Sequence, residues 1–170
     1  MANLSTGQFM VMYGVEVQIN TAPNDTASYA TIGDGITNVS EALNEVKQSM
    51  YYLINKGFGQ SEITAMHPAI TFTGHRLQGD TAQDYIFGLK YSLGSARKTD
   101  IKVKIFDPED ATNVFSQYTA SVTITDIQEI SGATENGSDI SFTLEFNGAP
   151  TAVSSQASNS ETPPAEGVEH

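Results

Sequence analysis

At 170 residues the chain is the size of one domain and long enough to bury a core without covalent staples. It contains no cysteine, which excludes disulfides, thiolate chemistry and cysteine-ligated zinc, and its formal net charge of −12 opposes tight binding to a phosphate backbone. All eight Lys and Arg lie between Lys47 and Lys104, so the acidity either keeps the protein soluble or lines a surface over which a polyanion passes without sticking. The start, MANLSTGQFMVMYG, has no basic stretch feeding a long apolar run, and no segment is apolar enough to span a bilayer. No secretory signal or membrane partner is expected, and the protein is expected to reach its destination from the cytoplasm.

Residues 8–20 read as a strand, with Val11, Tyr13, Val15, Val17 and Ile19 on one parity and Gln8, Met12, Glu16 and Gln18 on the other. Residues 21–28, with APND inside, form a loop. Residues 29–50 are ambiguous. A turn surrounds Gly33-Asp34-Gly35, after which Val39, Leu43, Val46 and Met50 recur at helical spacing, while Ile36, Thr37 and Val39 favour extension. The local pattern predicts a helix over 37–50. The following YYLINKGFGQSEITAMHP carries Tyr51, Tyr52, Leu53, Ile54 and Phe58, too many large groups for a solvated loop. They either enter the core or form an arm that packs on a neighbour.

Ile70, Phe72 and Gly74 alternate with Thr71, Thr73 and His75, giving a strand. Asp80 opens a helix and finds Gln83 at capping-box spacing; Ala82, Tyr85, Ile86, Leu89 and Leu93 form its apolar stripe and Gly94 ends it. A strand follows over Ile101, Val103 and Ile105, then a turn at 107–110. Around Val122 and Ile124 neither parity is wholly apolar, as in a strand lying between a core and a partner surface. Asn136-Gly137-Ser138-Asp139 turns into a last strand in which Ile140, Phe142, Leu144 and Phe146 share a face. Residues 151–170, rich in Ser, Ala, Pro and Glu, lack the apolar groups to repay ordering and are expected to form a flexible acidic tail.

No catalytic or metal constellation emerges. His67, His75 and His170 lack companion ligands at metal spacing, and no HExxH is present. Asp107, Glu109 and Asp110 resemble a fragment of a calcium loop without its downstream Gly and Glu, and read better as a turn. Gly33-Asp34-Gly35 lacks the spacing of a phosphate cradle. Arg97, Lys98 and Asp100 read as a helix C-terminal pair or as charges of an interface. No enzyme activity and no cofactor are expected.

The stretch TGHRLQGDTAQDYIFGLKYSLGSARKTDIKVKIFD, with Gly79 to Tyr85 opening the helix and Arg97-Lys98 after it, resembles the major tail tube protein of long, non-contractile bacteriophage tails. The branch from phages of Gram-positive hosts is the nearest in appearance. DISFTLEFNGAP resembles that family's last strand, and NEVKQSMYYLINKGFG the arm before these elements. The resemblance covers residues 8–150 unevenly and is strongest from Ile70 on. It implies a mainly β fold, a β-sandwich or split β-barrel with one flanking α-helix, in a domain over 1–150 with a protruding arm at about 47–68. It implies rings of six that share a β-barrel around a channel and stack into the tube through which double-stranded DNA leaves the virion. Partners would be further copies, then tape-measure, tail-tip and terminator proteins, and residues 37–50 would be extended. Glu16, Glu41 and Glu45 become candidates to face the lumen, and Tyr51 to Phe58 to bridge subunits or rings. The other reading is a β-sandwich decoration or adhesion module of a capsid or cell surface.

Overall fold

Long stretches of alternating β-branched and polar residues dictate strands, and the computed structural model, which describes residues 10–108, 110 and 112–153, is built mainly of them. In chain order they are β1 (Val15–Asn20), β2 (Tyr29–Ile32), β3 (Ile36–Ala42), β4 (Val46–Tyr51), β5 (Gly59–Ala65) and β6 (Ala69–His75). Helix α1 (Thr81–Gly88) precedes β7 (Lys98–Phe106), β8 (Val114–Gln128), β9 (Asp139–Phe146) and β10 (Thr151–Ala152). An 8-stranded antiparallel sheet runs β2-β1-β7-β8-β9-β6-β3, with β10 added to β8, while β4 and β5 pair only with each other.

The length of β8 organises the domain. Its first part pairs with β7 and its last part with β9, so one strand serves two half-sheets. Their inner faces share one core. Val17, Ile19 and Ile32 from one half meet Ile70, Phe72, Phe142 and Leu144 from the other, with Ala82, Ile86 and Phe87 of α1 against them. Phe142 stacks on Phe72 at 5.0 Å and takes the edge of Phe87 at 6.1 Å. This is the mainly β split barrel with one flanking helix.

Several local expectations are corrected. Residues 37–50 are not a helix but β3, a short irregular break and β4, as the resemblance implied. Leu43 and Val46 are exposed, so the helical spacing marks no buried stripe, and pairing with β6 and β5 satisfies the backbone instead. The first strand is shorter than 8–20. Met12–Gly14 forms a 3-10 turn that leaves Tyr13 exposed, and residues before 10 lie outside the described ones. The helix stops at Gly88, and Leu93, assigned to its stripe, is exposed. Arg97 explains the early stop: its guanidinium donates to the carbonyls of Ser92 (2.8 Å) and Lys90, holding that segment in a turn. In β8 a bulge between Thr125 and Gln128, with Asp126 at φ 50°, breaks the alternation. Ile124 is therefore buried and Ile127 half-buried against the same core, which a strict period of two forbids. At the C-terminal end, Thr151 and Ala152 pair with Thr119 and Tyr118, so the sheet holds the chain past residue 150; residues 154–170 of the expected tail lie outside the described ones.

β3 enters the sheet through an unusually close approach. A Cβ on Gly74 would sit 2.1 Å from the Gly35 carbonyl oxygen, and Gly35 itself has φ +75°. Only glycine at both positions lets the β2–β3 turn lie against β6.

Candidate assembly surfaces

Among the described residues the titratable groups named from the sequence are scattered. His75 Nδ1 pairs with Asp139 at 3.0 Å on the surface, and the His67 backbone serves the base of a hairpin, donating to Leu43 O and accepting from Asn44 Nδ2. Asp110 accepts from the backbone and hydroxyl of Thr112, closing a turn with Asp107, while Glu109 lies outside the described residues. Among the described residues no cluster of His, Asp or Glu could hold a metal ion, and no helix is long and apolar enough to cross a membrane. Gly33-Asp34-Gly35 is the turn between β2 and β3, its Asp34 carbonyl held by Gln83.

What stands out is an arm. β4 and β5 form a two-stranded hairpin that grows from the ends of β3 and β6, with exposed side chains along nearly its whole length. Tyr51 lies over Gly59, its cross-strand partner, and Tyr52 donates to Met50 Sδ at 3.1 Å. The turn at the tip uses Lys56 at φ 47° and Gly57 at φ 91°. It presents Leu53 at 99%, Ile54 at 87% and Phe58 at 80% exposure. None of these residues enters the core. A bare two-stranded ribbon has almost no burial to hold it, and its tip is an exposed apolar patch.

The second feature is a pair of open edges. β3 pairs only with β6, and β8 beyond Thr123 pairs only with β9. The half-sheet β8–β9–β6–β3 therefore ends on both sides in unpaired backbone among the described residues. The other half-sheet has the exposed edge of β2, while β10 occupies part of the β8 flank.

The outer faces of the two half-sheets differ in chemistry. Across β1 and β7, Glu16 faces Lys104 and Gln18 faces Lys102, and Lys102 sits 3.8 Å from the Tyr29 ring centroid. Across β3, β6, β9 and β8, one row reads Asn38, Thr73, Ser141, Gln128 and the next Ser40, Thr71, Thr143, Thr125. A third row reads Ala42, Ala69, Glu145, Thr123. Thr71 and Thr143, in the second of these rows, share a hydroxyl–hydroxyl hydrogen bond of 3.0 Å. One outer face carries charges of both signs, and the other carries mostly hydroxyls and amides, with Glu145 in one row and the His75–Asp139 pair in another.

The sequence-derived candidates are scattered over these surfaces. Glu16 lies 3.7 Å from Lys104 Nζ and accepts from Gln18, on the charged face. Glu41 stands opposite Ile70, on the core side of edge strand β3. Burial pushes the Tyr118 hydroxyl up to about 12, and the Glu41 carboxylate adds to the shift. Glu45 lies 3.9 Å from Lys47 at the root of the arm. Arg97 performs the helix C-terminal role, while Lys98 and Asp100 are exposed at the start of β7. Asp80 accepts from Gln83 N at 2.8 Å, but the Gln83 side chain does not return to Asp80; it is buried and bonds elsewhere. Tyr85, Ile86 and Leu89 do pack on the core.

Sequence reasoning missed one charged cluster. Glu129, at the end of β8, accepts from Arg76 Nε at 3.1 Å and from Lys90, and Arg76 also reaches Asp84 at 2.6 Å while lying over Phe87. This ties β6, α1 and β8 together. The hydrogen bonds from Lys90 and Arg76 hold the Glu129 carboxyl below its ordinary range. A lowered carboxylate pKa contributes stability that is present above the unfolded value and lost as pH falls through the folded one. Urea unfolding between neutral pH and about pH 3 should show wild type losing stability across the acid limb, and Glu129→Gln, weaker at neutral pH, losing less of it. Equal acid slopes would show that the pair contributes nothing.

No known protein-family profile matches the chain, and no curated protein matches it either. Solved structures do match. The fold is similar to the tail of an empty GTA particle refined with C6 symmetry, at 13% identity and a TM-score of 0.65, over 86% of this chain and 100% of that one. It is similar to the SPP1 tail tube at 13% identity and a TM-score of 0.62, over 85% and 78%. It is also similar to the anti-feeding prophage cap that terminates the AFP tube, at 14% and 0.57, over 90% and 100%. At such identities the likeness establishes the shared fold.

Proposed function

We propose that this chain is a structural, non-enzymatic subunit of a tail tube. Copies join edge to edge into hexameric rings, the rings stack, and the central channel conducts double-stranded DNA out of a virion and into a host. The observation that carries this reading is the hairpin arm, whose apolar tip is bare among the described residues, on a fold shared with tail-tube structures. Two open edges on one half-sheet supply the lateral contacts, and the arm supplies the contact to the next subunit or ring. The C6 symmetry of the GTA tail supports a ring of six. The net charge of −12 keeps a passing duplex from adsorbing strongly. The subunit assembles in the host cytoplasm and resides in the virion tail, where its neighbours are a tape measure, a tail tip and a terminator.

Negative-stain and cryo-electron microscopy of concentrated protein and of tails from particles test this directly. Stacked six-fold rings with an open channel are expected. Monomers alone, or isolated knobs outside a tail, would overturn it. A single unstacked ring at the tube end would instead place the chain with the cap-like terminators whose fold it also shares.

A further inference from the structure

We infer that Thr37 on β3 and Asp126 on β8 are edge guards, single surplus residues that end the ladder two copies can form along their open edges. This rests on the edge-to-edge assembly proposed above and adds what limits it. In the half-sheet β8–β9–β6–β3 the interior pair runs from Ala69 opposite Glu145 to His75 opposite Asp139 without a shift. Both edge strands carry one. β3 takes two steps, from Ile36 to Asn38, while β6 takes one, from Gly74 to Thr73. β8 takes three steps, from Thr125 to Gln128, while β9 takes two, from Thr143 to Ser141. The two bulges flank the same row, Asn38, Thr73, Ser141, Gln128, so they stand at nearly the same height on the two edges.

Neither surplus residue is needed for the core or for the outer rows. Ile36 and Val39 pack against the core, with Asn38 on the outer face, so omitting Thr37 would leave a strand of strict alternation. Ile124 and Ile127 pack on the same core, and Thr125 and Gln128 belong to outer rows, so omitting Asp126 would do the same. Both residues are exposed. Asp126 stands at φ 50°, a left-handed backbone that disfavours any side chain with a Cβ. Thr37 Oγ1 donates to Thr73 O at 3.3 Å, which holds its own bulge in place. A bulge bends its strand and leaves the extra residue unpaired, so on an open edge it stops an added strand from continuing past it. What remains in line is residues 38–42 of β3 and 123–125 of β8, at the end nearest the arm. A second copy adding its edge there gains a short ladder, and the shifted ends, one of them carrying the Asp126 carboxylate, refuse a longer one.

Hydrogen–deuterium exchange of the unmodified protein, free and in tubes confirmed by microscopy, tests this without a variant. On assembly, residues 38–42 and 123–125 are expected to slow by roughly tenfold or more, while 36–37 and 126–128 exchange as in the free subunit. Slowing that runs through 126–128, or none at 38–42 and 123–125, would overturn the inference and leave the tail-tube reading standing. Deletion of Asp126 is a second measurement, and deletion of Thr37 its independent counterpart. In whichever deletion folds, as judged by thermal unfolding, the lengthened edge is expected to pair in excess. Sheet aggregates should sediment in place of tubes, with slowed exchange reaching Gln128 or Ile36. Tubes of ordinary width and yield from a folded deletion variant would also overturn the inference. Failure of unmodified protein to form tubes in any preparation, virion tails included, would overturn both the inference and the tail-tube reading.

Discussion

Leu53→Asp combined with Ile54→Asp should abolish assembly while leaving the folded subunit as stable as wild type. Both side chains stand in water in the isolated domain, at 99% and 87% exposure, so replacing them removes no intramolecular packing. The hairpin keeps its pairing, its Tyr51–Gly59 contact and its Lys56–Gly57 turn. In a tube the balance reverses. Burying two such side chains contributes about 4 kcal/mol per copy, and placing carboxylates in the same contact adds a desolvation cost. A loss of about 4 kcal/mol raises the concentration needed for assembly by roughly a thousandfold. Thermal unfolding monitored by circular dichroism should give unchanged midpoints, and sedimentation should find the doubly substituted protein in the supernatant at concentrations where wild type pellets. Tubes of normal yield and length from the double substitution would show that the tip is an ornament and would remove the main support for the proposed function.

The exposed apolar run from Tyr51 to Phe58 was conspicuous because its composition conflicted with its apparent role. Tyr51, Tyr52, Leu53, Ile54 and Phe58 have no place in a solvated loop, and either burial or a partner had to account for them. Strands with clean alternation, such as β6 and β9, were legible for the opposite reason, since Phe72, Phe142 and Leu144 fill one face without exception. Residues 37–50 misled because Val39, Leu43, Val46 and Met50 fit a helical period by coincidence. What decides their conformation is pairing with the backbone of β5 and β6, outside the segment itself. β8 looked two-sided because its bulge shifts the parity, a change carried by the φ of Asp126 and by no residue pattern. The surfaces follow the same logic. The threonines of ITFTG, VTITD and SFTLE are plain in the sequence, but which of them form one sheet face depends on the register among β6, β8 and β9. Glu16 shows the converse. Its parity was read correctly, yet only the pairing of β1 with β7 puts Lys104 against it.

Gln83→Leu should be among the most destabilising single changes in the chain, although it replaces a polar side chain in the core with an apolar one of similar size. Gln83 is 1% exposed, and its amide makes the contacts of a backbone strand. Oε1 accepts from Leu77 N at 2.9 Å, and Nε2 donates to Asp34 O at 2.7 Å and His75 O at 3.3 Å. Leucine can fill the space but leaves that donor and those acceptors facing hydrocarbon. Each abandoned buried group costs roughly 1–3 kcal/mol, so a total of about 4 kcal/mol and a fall in melting temperature of about 10 °C are expected. The damage is also placed where assembly is most sensitive. Asp34 belongs to the turn that launches β3, and His75 ends β6, so Gln83 holds the open β3 edge against its neighbour. Gln83→Glu separates the hydrogen bonds from the packing. Its carboxylate can still accept from Leu77 N but repels the two carbonyls, and burial favours the protonated form, which can donate. A carboxyl whose folded pKa is raised adds stability as pH falls, so the deficit of Gln83→Glu relative to wild type should shrink on acidification while that of Gln83→Leu stays constant. Melting curves of the three proteins across the same pH series decide it. Parallel behaviour of the two substitutions would mean that shape, and not the hydrogen-bond pattern, is what this position supplies.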